Sequence, residues 1–430
     1  MKKTSKKTSK KTSKTTNKKT SKTTGTTASK MASKTTGKTA SKTASKTASK
    51  TASKTTSKTT GTTASKAASK TARAATVKKS GESKPVQRQG SAKAPRITTE
   101  SAARACASLI GVEPVRIEYP GGPSRSSVRA IAEKKTCIVT RRKLANRAAL
   151  EAGVLRELRA GGAPVPAVLA FDGEWLIQED LGERRLSGAL ARGDIPFAGT
   201  WTARAAAALL LCQRAAEKAG LAQRVAPIGG TAEWIAGVLA TPGRLAAQLG
   251  LPDPGVAALI TPEQMAPRRY SFVKWDARPG NALLVEAPGD EGGVGWVDWE
   301  HCGSRDALDD LAWLLCDEYM PDDEALESAL LKRFVPLFAL QSQRTPEDAL
   351  LYLSRFGSLH SCVRLAIVVK LKGKGGWWDP EVCERTDRVG VTAEGARRLC
   401  ARGARWSRRW PGGERLATFF LEADKRLRGA

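Results

Sequence analysis

The sequence predicts an α+β protein of two lobes, a small β-rich one followed by a larger helical one, behind a long basic segment that has no core of its own. Three observations carry that prediction. Charge is divided unevenly along the 430 residues. Short β-like runs and turn signals crowd residues 115–181. From about Thr200 onward apolar residues recur at helical spacing, interrupted by two β-like stretches.

The first 95 residues hold 26 Lys plus Arg and a single acid, Glu82, a net charge of +25. The rest of the chain carries +5 and every aromatic, beginning at Tyr119. A segment so poor in apolar side chains cannot offset its ordering entropy, so residues 1–95 are expected to be a disordered basic tail. Between Lys38 and Lys58 the lysines fall every fourth residue. Four extended residues span about 13 Å, and duplex DNA presents one phosphate charge per roughly 1.7 Å of axis. Sequence-indifferent association with DNA or RNA follows as an expectation, with Thr and Ser adding phosphate hydrogen bonds. In composition the segment resembles the lysine-rich tails of linker histones and bacterial histone-like proteins. An idle extension, or translation beginning at Met31, is the plain alternative.

Composition removes several classes. No run of 18 apolar residues occurs, and the best candidate, Ala205–Cys212, lies between Arg204 and Arg214. The first residues lack the apolar stretch of a secretory signal, so a cytoplasmic location is expected, with the nucleoid as its site if the tail holds DNA. Eight cysteines are scattered without a CxxC pair, which suits reduced buried thiols. His301 and His360 are the only histidines, too few for a centre built on several.

Taken in order, Val115–Tyr119 reads as a strand and 120–127 as a turn-rich loop. Val128–Ala132 and Cys137–Arg141 read as two more strands. Leu150, Val154, Leu155 and Leu158 mark a helix that Gly161 and Gly162 stop. Ala167–Phe171 and Glu174–Gln178 flank Asp172-Gly173, a two-residue hairpin signal. Ala282–Val285 and Gly295–Asp298 are the later β-like stretches. The division expected is a first lobe over 96–181 and a helical lobe over 182–430, with ligand chemistry between them.

Two segments carry that chemistry: Phe272-Val-Lys-Trp-Asp276-Ala-Arg278-Pro-Gly-Asn281 and Gly295-Trp-Val-Asp298-Trp-Glu300. Phosphoryl transfer from ATP needs a residue to orient the acceptor, hard oxygen ligands for Mg2+, and a cation beside the moving group. Asp276 can orient or deprotonate a hydroxyl. Asn281 and Asp298 can hold magnesium, and Arg278 can stabilise the transferring charge.

In these two segments the chain resembles the aminoglycoside phosphotransferase and choline kinase-like family, which shares the protein-kinase fold. That family's catalytic loop reads roughly His-Gly-Asp-x-His-Pro-Gly-Asn, matched here by Lys274–Asn281. Its metal strand, Ile-Asp-Trp-Glu, is matched by Val297–Glu300, and a later acidic motif by Arg305–Ala312. The resemblance implies an ATP- and Mg-dependent kinase for a hydroxyl of a small molecule. It implies a phosphate-covering loop formed by Gly121, Gly122, Ser124, Ser126 and Ser127. Glu151 would position the cation of the third strand, the hinge Gln178, Glu179 and Leu181 would meet adenine, and Asp310 would brace the catalytic loop.

Departures from the pattern keep other readings open. No lysine ends the third strand. Arg141 is expected in its place, ahead of Arg142, because alternation puts it on the face of Cys137 and Val139. Lys274 and Arg278 stand where the motif has histidines, and Trp275 stands where glycine is common, narrowing the acceptor side. A nucleotide-binding pseudokinase is one rival reading, and a histone-like protein acting through its tail is another. Glu151 and Arg141 could be surface ions, and Gly121-Gly122 a plain hairpin. The acids of 317–324 would suit a cationic acceptor, whereas Arg364, Lys370, Lys372 and Lys374 would suit an anionic one.

Overall fold

The computed structural model describes residues 96–122, 125–142, 144–285, 292–386 and 388–429. The basic segment 1–95 and Ser124 lie outside the described residues. Helix α1 (Thr99–Ile110) opens the described part, and sequence reading had not anticipated it. Its signals are nonetheless local: Thr98 and Ser101 form a reciprocal capping box, and Gly111 closes it with φ 63°.

Five strands follow, β1 (Arg116–Glu118), β2 (Ser127–Ile131), β3 (Thr136–Arg141), β4 (Val168–Phe171) and β5 (Trp175–Glu179), with α2 (Ala145–Ala160) between β3 and β4. They form one antiparallel sheet in the order β1-β2-β3-β5-β4. The β4–β5 hairpin turns at Asp172-Gly173, where Gly173 takes φ 101° and Asp172 Oδ1 accepts from the amides of Glu174 and Trp175.

Strand alternation gives this sheet two different faces. Val128, Ala130, Cys137, Val139 and Ile177 join Ala102, Ala105 and Cys106 of α1 in a small separate core. Cys106 and Cys137 meet there with their sulfurs 4.0 Å apart, and all eight cysteines are buried and free. The other face, carrying Ser127, Arg129, Ile138, Thr140 and Gln178, looks into a cavity.

The helical part comprises α3 (Leu186–Arg192), α4 (Ile195–Lys218), α5 (Leu221–Arg224), α6 (Ala232–Leu239), α7 (Thr241–Leu249), α8 (Pro262–Met265), α9 (Leu308–Leu315), α10 (Glu324–Ser342), α11 (Pro346–Lys372), α12 (Pro380–Arg385), α13 (Ala393–Ser407) and α14 (Glu414–Arg428). Two short sheets are set into it: β6 (Ser271–Val273) with β9 (Gly303–Arg305), and β7 (Ala282–Val285) with β8 (Gly293–Trp296). Helix α4 is long and apolar enough to cross a membrane by length and composition alone. Its buried residues, Ala205, Ala206, Leu209 and Leu210 among them, belong instead to the main hydrophobic core.

Close packing of the last helices leaves no slack. A Cβ on Gly357 of α11 would meet the fully buried ring of Trp406 on α13 at 2.2 Å. That ring cannot move without displacing its neighbours. Gly357→Ala is therefore expected to destabilise the protein by about 1–3 kcal/mol in a denaturant titration. A neutral effect would mean that α11 and α13 are not packed as described.

Candidate active site

Both sequence segments converge beneath the sheet. The turn after β6 is the unusual piece of backbone, because Trp275 and Asp276 take φ 50° and 56°, a region that non-glycine residues seldom occupy. Asp310, at the start of α9, holds that turn. Its Oδ2 accepts from the amide of Lys274 at 2.9 Å and from Gln213 Nε2 at 3.1 Å, and its Oδ1 accepts from the amide of Trp275 at 2.9 Å. Full burial pushes the Asp310 carboxyl up to about 6, against the pull of these hydrogen bonds.

Lys274 shows what replaced the first histidine of the motif. Its ammonium is buried and donates to the main-chain oxygens of Asp298 at 2.9 Å and Asp276 at 3.3 Å. It also lies 5.7 Å and 5.4 Å from the ring centres of Trp296 and Trp299. Burial holds its pKa below the ordinary lysine range, opposed by the charges of Asp276, Asp298 and Asp310. The lysine thus staples the turn after β6 to the end of the β8 segment.

Around Asp276 the polar atoms are ordered. Asn281 Nδ2 donates to the Asp276 Oδ2 and main-chain oxygen, both at 2.9 Å. Arg278 Nε lies 3.6 Å from Asp276 Oδ1. Asp298, itself at φ 63°, presents a partly exposed carboxylate from the far side. Asn281 and Asp298 line the cavity; Asp276 and Arg278 lie beside it, behind Asn281.

The cation from the sheet is Arg142, and the expectation of Arg141 is corrected. Alternation did place Arg141 with Cys137 and Val139, but that face packs under α1, away from the cavity. Arg141 pairs with Glu174 and lies over Trp175. Arg142 instead follows Ile138 and Thr140 into the cavity. Its guanidinium contacts Glu151 at 2.8 Å and 3.0 Å, Asp298 at 2.8 Å and Glu300 at 3.0 Å. Glu151 is therefore a buried partner and no surface ion, and it also accepts from the amide of Trp299 at 3.2 Å. Burial works against ionisation of Asp298, but the charges of Arg142 and Lys274 outweigh it and hold its carboxyl below the ordinary range. Glu300, which sequence reasoning passed over as part of the matched motif, completes the cluster.

The cavity, about 1020 Å3 in volume, runs from these residues to the segment after β5. Gly121, Ser126 and Ser127 line it, and so do Gln178, Glu179 and Leu181. Gly122, at φ 87°, sits in the loop but is not part of the lining. Leu283 and Val297 line it too.

Two expectations about the acceptor side change. Trp275 does not narrow it, because its ring packs against Trp234, Trp313 and Phe356, with centroids 6.0, 5.4 and 6.4 Å away. The acidic run is consumed internally: Glu318 pairs with Arg364 at 2.6 Å, and Asp322 with Arg397 and Arg405 at 2.7 and 2.6 Å. Asp323 caps α10. Arg364 is buried in that pair, so it is not offered to an acceptor.

The sequence profile of the phosphotransferase enzyme family matches residues 117–342. No protein of curated function matches the chain. Among solved structures, the chain is similar to a spectinomycin phosphotransferase in complex with ADP and spectinomycin, at 11% identity over 70% of this chain and 98% of the other, with a TM-score of 0.44. It is similar to the macrolide 2'-phosphotransferase of Brachybacterium faecium, at 15% identity over 64% and 94% of the two chains, TM-score 0.45. A microcompartment-associated aminopropanol kinase matches at 13% identity over 72% and 97%, TM-score 0.45.

The geometry of Asp310 generates a test. Asp310→Asn replaces one acceptor oxygen by an amide that must face the N–H of Lys274 or Trp275, or leave Gln213 unmatched. The expected cost is about 1–3 kcal/mol in stability, read by denaturant unfolding. Unchanged stability would show that the turn holds its positive-φ conformation without this carboxylate.

Proposed function

The chain belongs to the phosphotransferase enzyme family, and from that premise we propose that it moves the γ-phosphoryl group of ATP, with Mg2+, onto a hydroxyl of a small molecule. The observation that carries the reading is that Asn281 and Asp298 line one cavity, with Asp276 hydrogen-bonded to Asn281 and Arg142 reaching Asp298 from the sheet.

The donor set fits magnesium. Asn281 spends its amide nitrogen on Asp276, which leaves its oxygen available, and Asp298 offers a carboxylate with one oxygen on Arg142. One amide oxygen and one carboxylate, completed by phosphate and water oxygens, suit a hard cation that keeps much of its hydration. Bound there, magnesium would neutralise charge building on the phosphates.

Every other part of the work falls to the chain itself. Asp276 orients the acceptor hydroxyl and takes up its proton, while Asn281 and Arg278 fix the direction of its carboxylate. Arg142 presents a planar fork to the phosphates, held by Glu151 against drifting away. Gly121 and Ser126 cover the phosphates with close backbone, and the segment Gln178–Leu181 receives the base. Positioning and electrostatics supply most of the catalysis in this chemistry, so a held geometry is what the site must provide.

Asp276→Ala is expected to lower kcat by about two to four orders of magnitude while the dissociation constant for Mg·ATP changes little, as measured by product formation and by direct titration. Wild-type turnover in that variant would take Asp276 out of the mechanism.

A further inference from the structure

The polar side chains at the end of β5 and just after it are almost all committed. Glu179 accepts from the amide of Ala167 at 3.0 Å and lies 3.4 Å from Arg159. Asp180 is held by Arg129 at 2.7 Å and also caps the amide of Gly182 at 3.0 Å. Glu183 is held by Arg129 as well. Gln178 is different. It is only 6% exposed, lies opposite Ile138 on the cavity face of the sheet and lines the cavity. Among the described residues its side-chain amide makes no hydrogen bond, and it faces the cavity. On the same face the hydroxyls of Ser127 and Thr140 bond each other at 2.9 Å.

An amide that opens onto a cavity and has no partner in the chain is available to pair with a ligand there. Its chemistry then says what the ligand presents. A glutamine amide is a donor at one atom and an acceptor at the other, and its terminal torsion turns freely when no neighbour fixes it. Purines differ in just this respect at position 6, where adenine carries an amine and guanine an oxygen. A main-chain carbonyl at the same edge accepts from the amine but repels the oxygen.

Resting on the nucleotide reading above, we infer that the Gln178 side-chain amide reads position 6 of the purine and lets the cavity take guanine as well as adenine nucleotides. Its Oε1 accepts from the adenine amine, and its Nε2 donates to the guanine oxygen after a half-turn of the amide. Adenine keeps a second partner in the main chain, so it depends on Gln178 less than guanine does. Gln178 is thus a specificity-determining residue and no part of the phosphoryl chemistry.

The test is titration of the full chain with Mg·ATP and with Mg·GTP, in the wild type and in Gln178→Met, a swap that conserves volume but removes both polar atoms. The wild type is expected to bind the two within about tenfold of each other. The Met variant is expected to raise the GTP-to-ATP ratio of dissociation constants by about tenfold or more, the loss of one guanine hydrogen bond. A larger wild-type preference for ATP, or a ratio that the Met variant shifts by less, overturns the inference while leaving the kinase reading intact. Failure of the wild type to bind either nucleotide overturns both. Should Gln178→Met not fold, Gln178→Leu is read in the same way, and the wild-type ratio stands as a test by itself.

Discussion

Everything at this site depends on two buried charges, the Asp310 carboxylate and the Lys274 ammonium, each holding the turn by its main chain. Three non-glycine residues, Trp275, Asp276 and Asp298, sit in left-handed backbone, and such conformations cost about 1–3 kcal/mol each. They persist because the surrounding bonds leave them no alternative. Asp310 fixes the turn from below through two amides, and the Lys274 ammonium fixes both its end and the Asp298 carbonyl. Neither charge is exposed, and each is spent on main-chain groups, so removing one would leave buried amides or carbonyls without a partner. The arrangement turns two separate loops into one rigid platform for Asp276, Asn281 and Asp298.

Arg142 adds the second constraint, between the sheet and that platform. One guanidinium meets Glu151 on α2, Asp298 and Glu300, so a strand end, a helix and the metal-strand segment share a single node. Three carboxylates so close would repel one another, and the buried cation between them offsets that repulsion. A lysine, with one compact ammionium centre, matches fewer such partners at once than a planar fork. This is a physical reason for arginine here, and it ties the charge that would meet phosphate to the residue that would meet magnesium.

Much of this was legible in the sequence and some of it was not, for identifiable reasons. The strands around 115–181 and the Asp172-Gly173 hairpin followed from alternation and turn chemistry, and the bracing role of Asp310 from the family resemblance alone. Arg141 was preferred over Arg142 because parity tells which residues share a face but not which face meets the cavity. That depends on α1, whose capping box at Thr98 and Ser101 was the overlooked signal. The acids of 317–324 could not be read as spent, because their partners Arg364, Arg397 and Arg405 are tens of residues away. Trp275 looked like an obstruction for the same reason: the aromatic pocket that receives it comes from α6, α9 and α11. The open amide of Gln178 is likewise a property of its neighbours, invisible until they are in place.

The central claim is that Asp298 and its neighbours form a nucleotide and magnesium site. Thermal unfolding of the chain with and without Mg·ATP, in the wild type and in Asp298→Asn, tests it most directly. A ligand at a hundred times its dissociation constant stabilises the native state by about 2.7 kcal/mol, enough to move the transition visibly. A magnesium-dependent rise is expected in the wild type and is lost in the variant. An equal rise in both proteins, or none with ATP or GTP in the wild type, would contradict it.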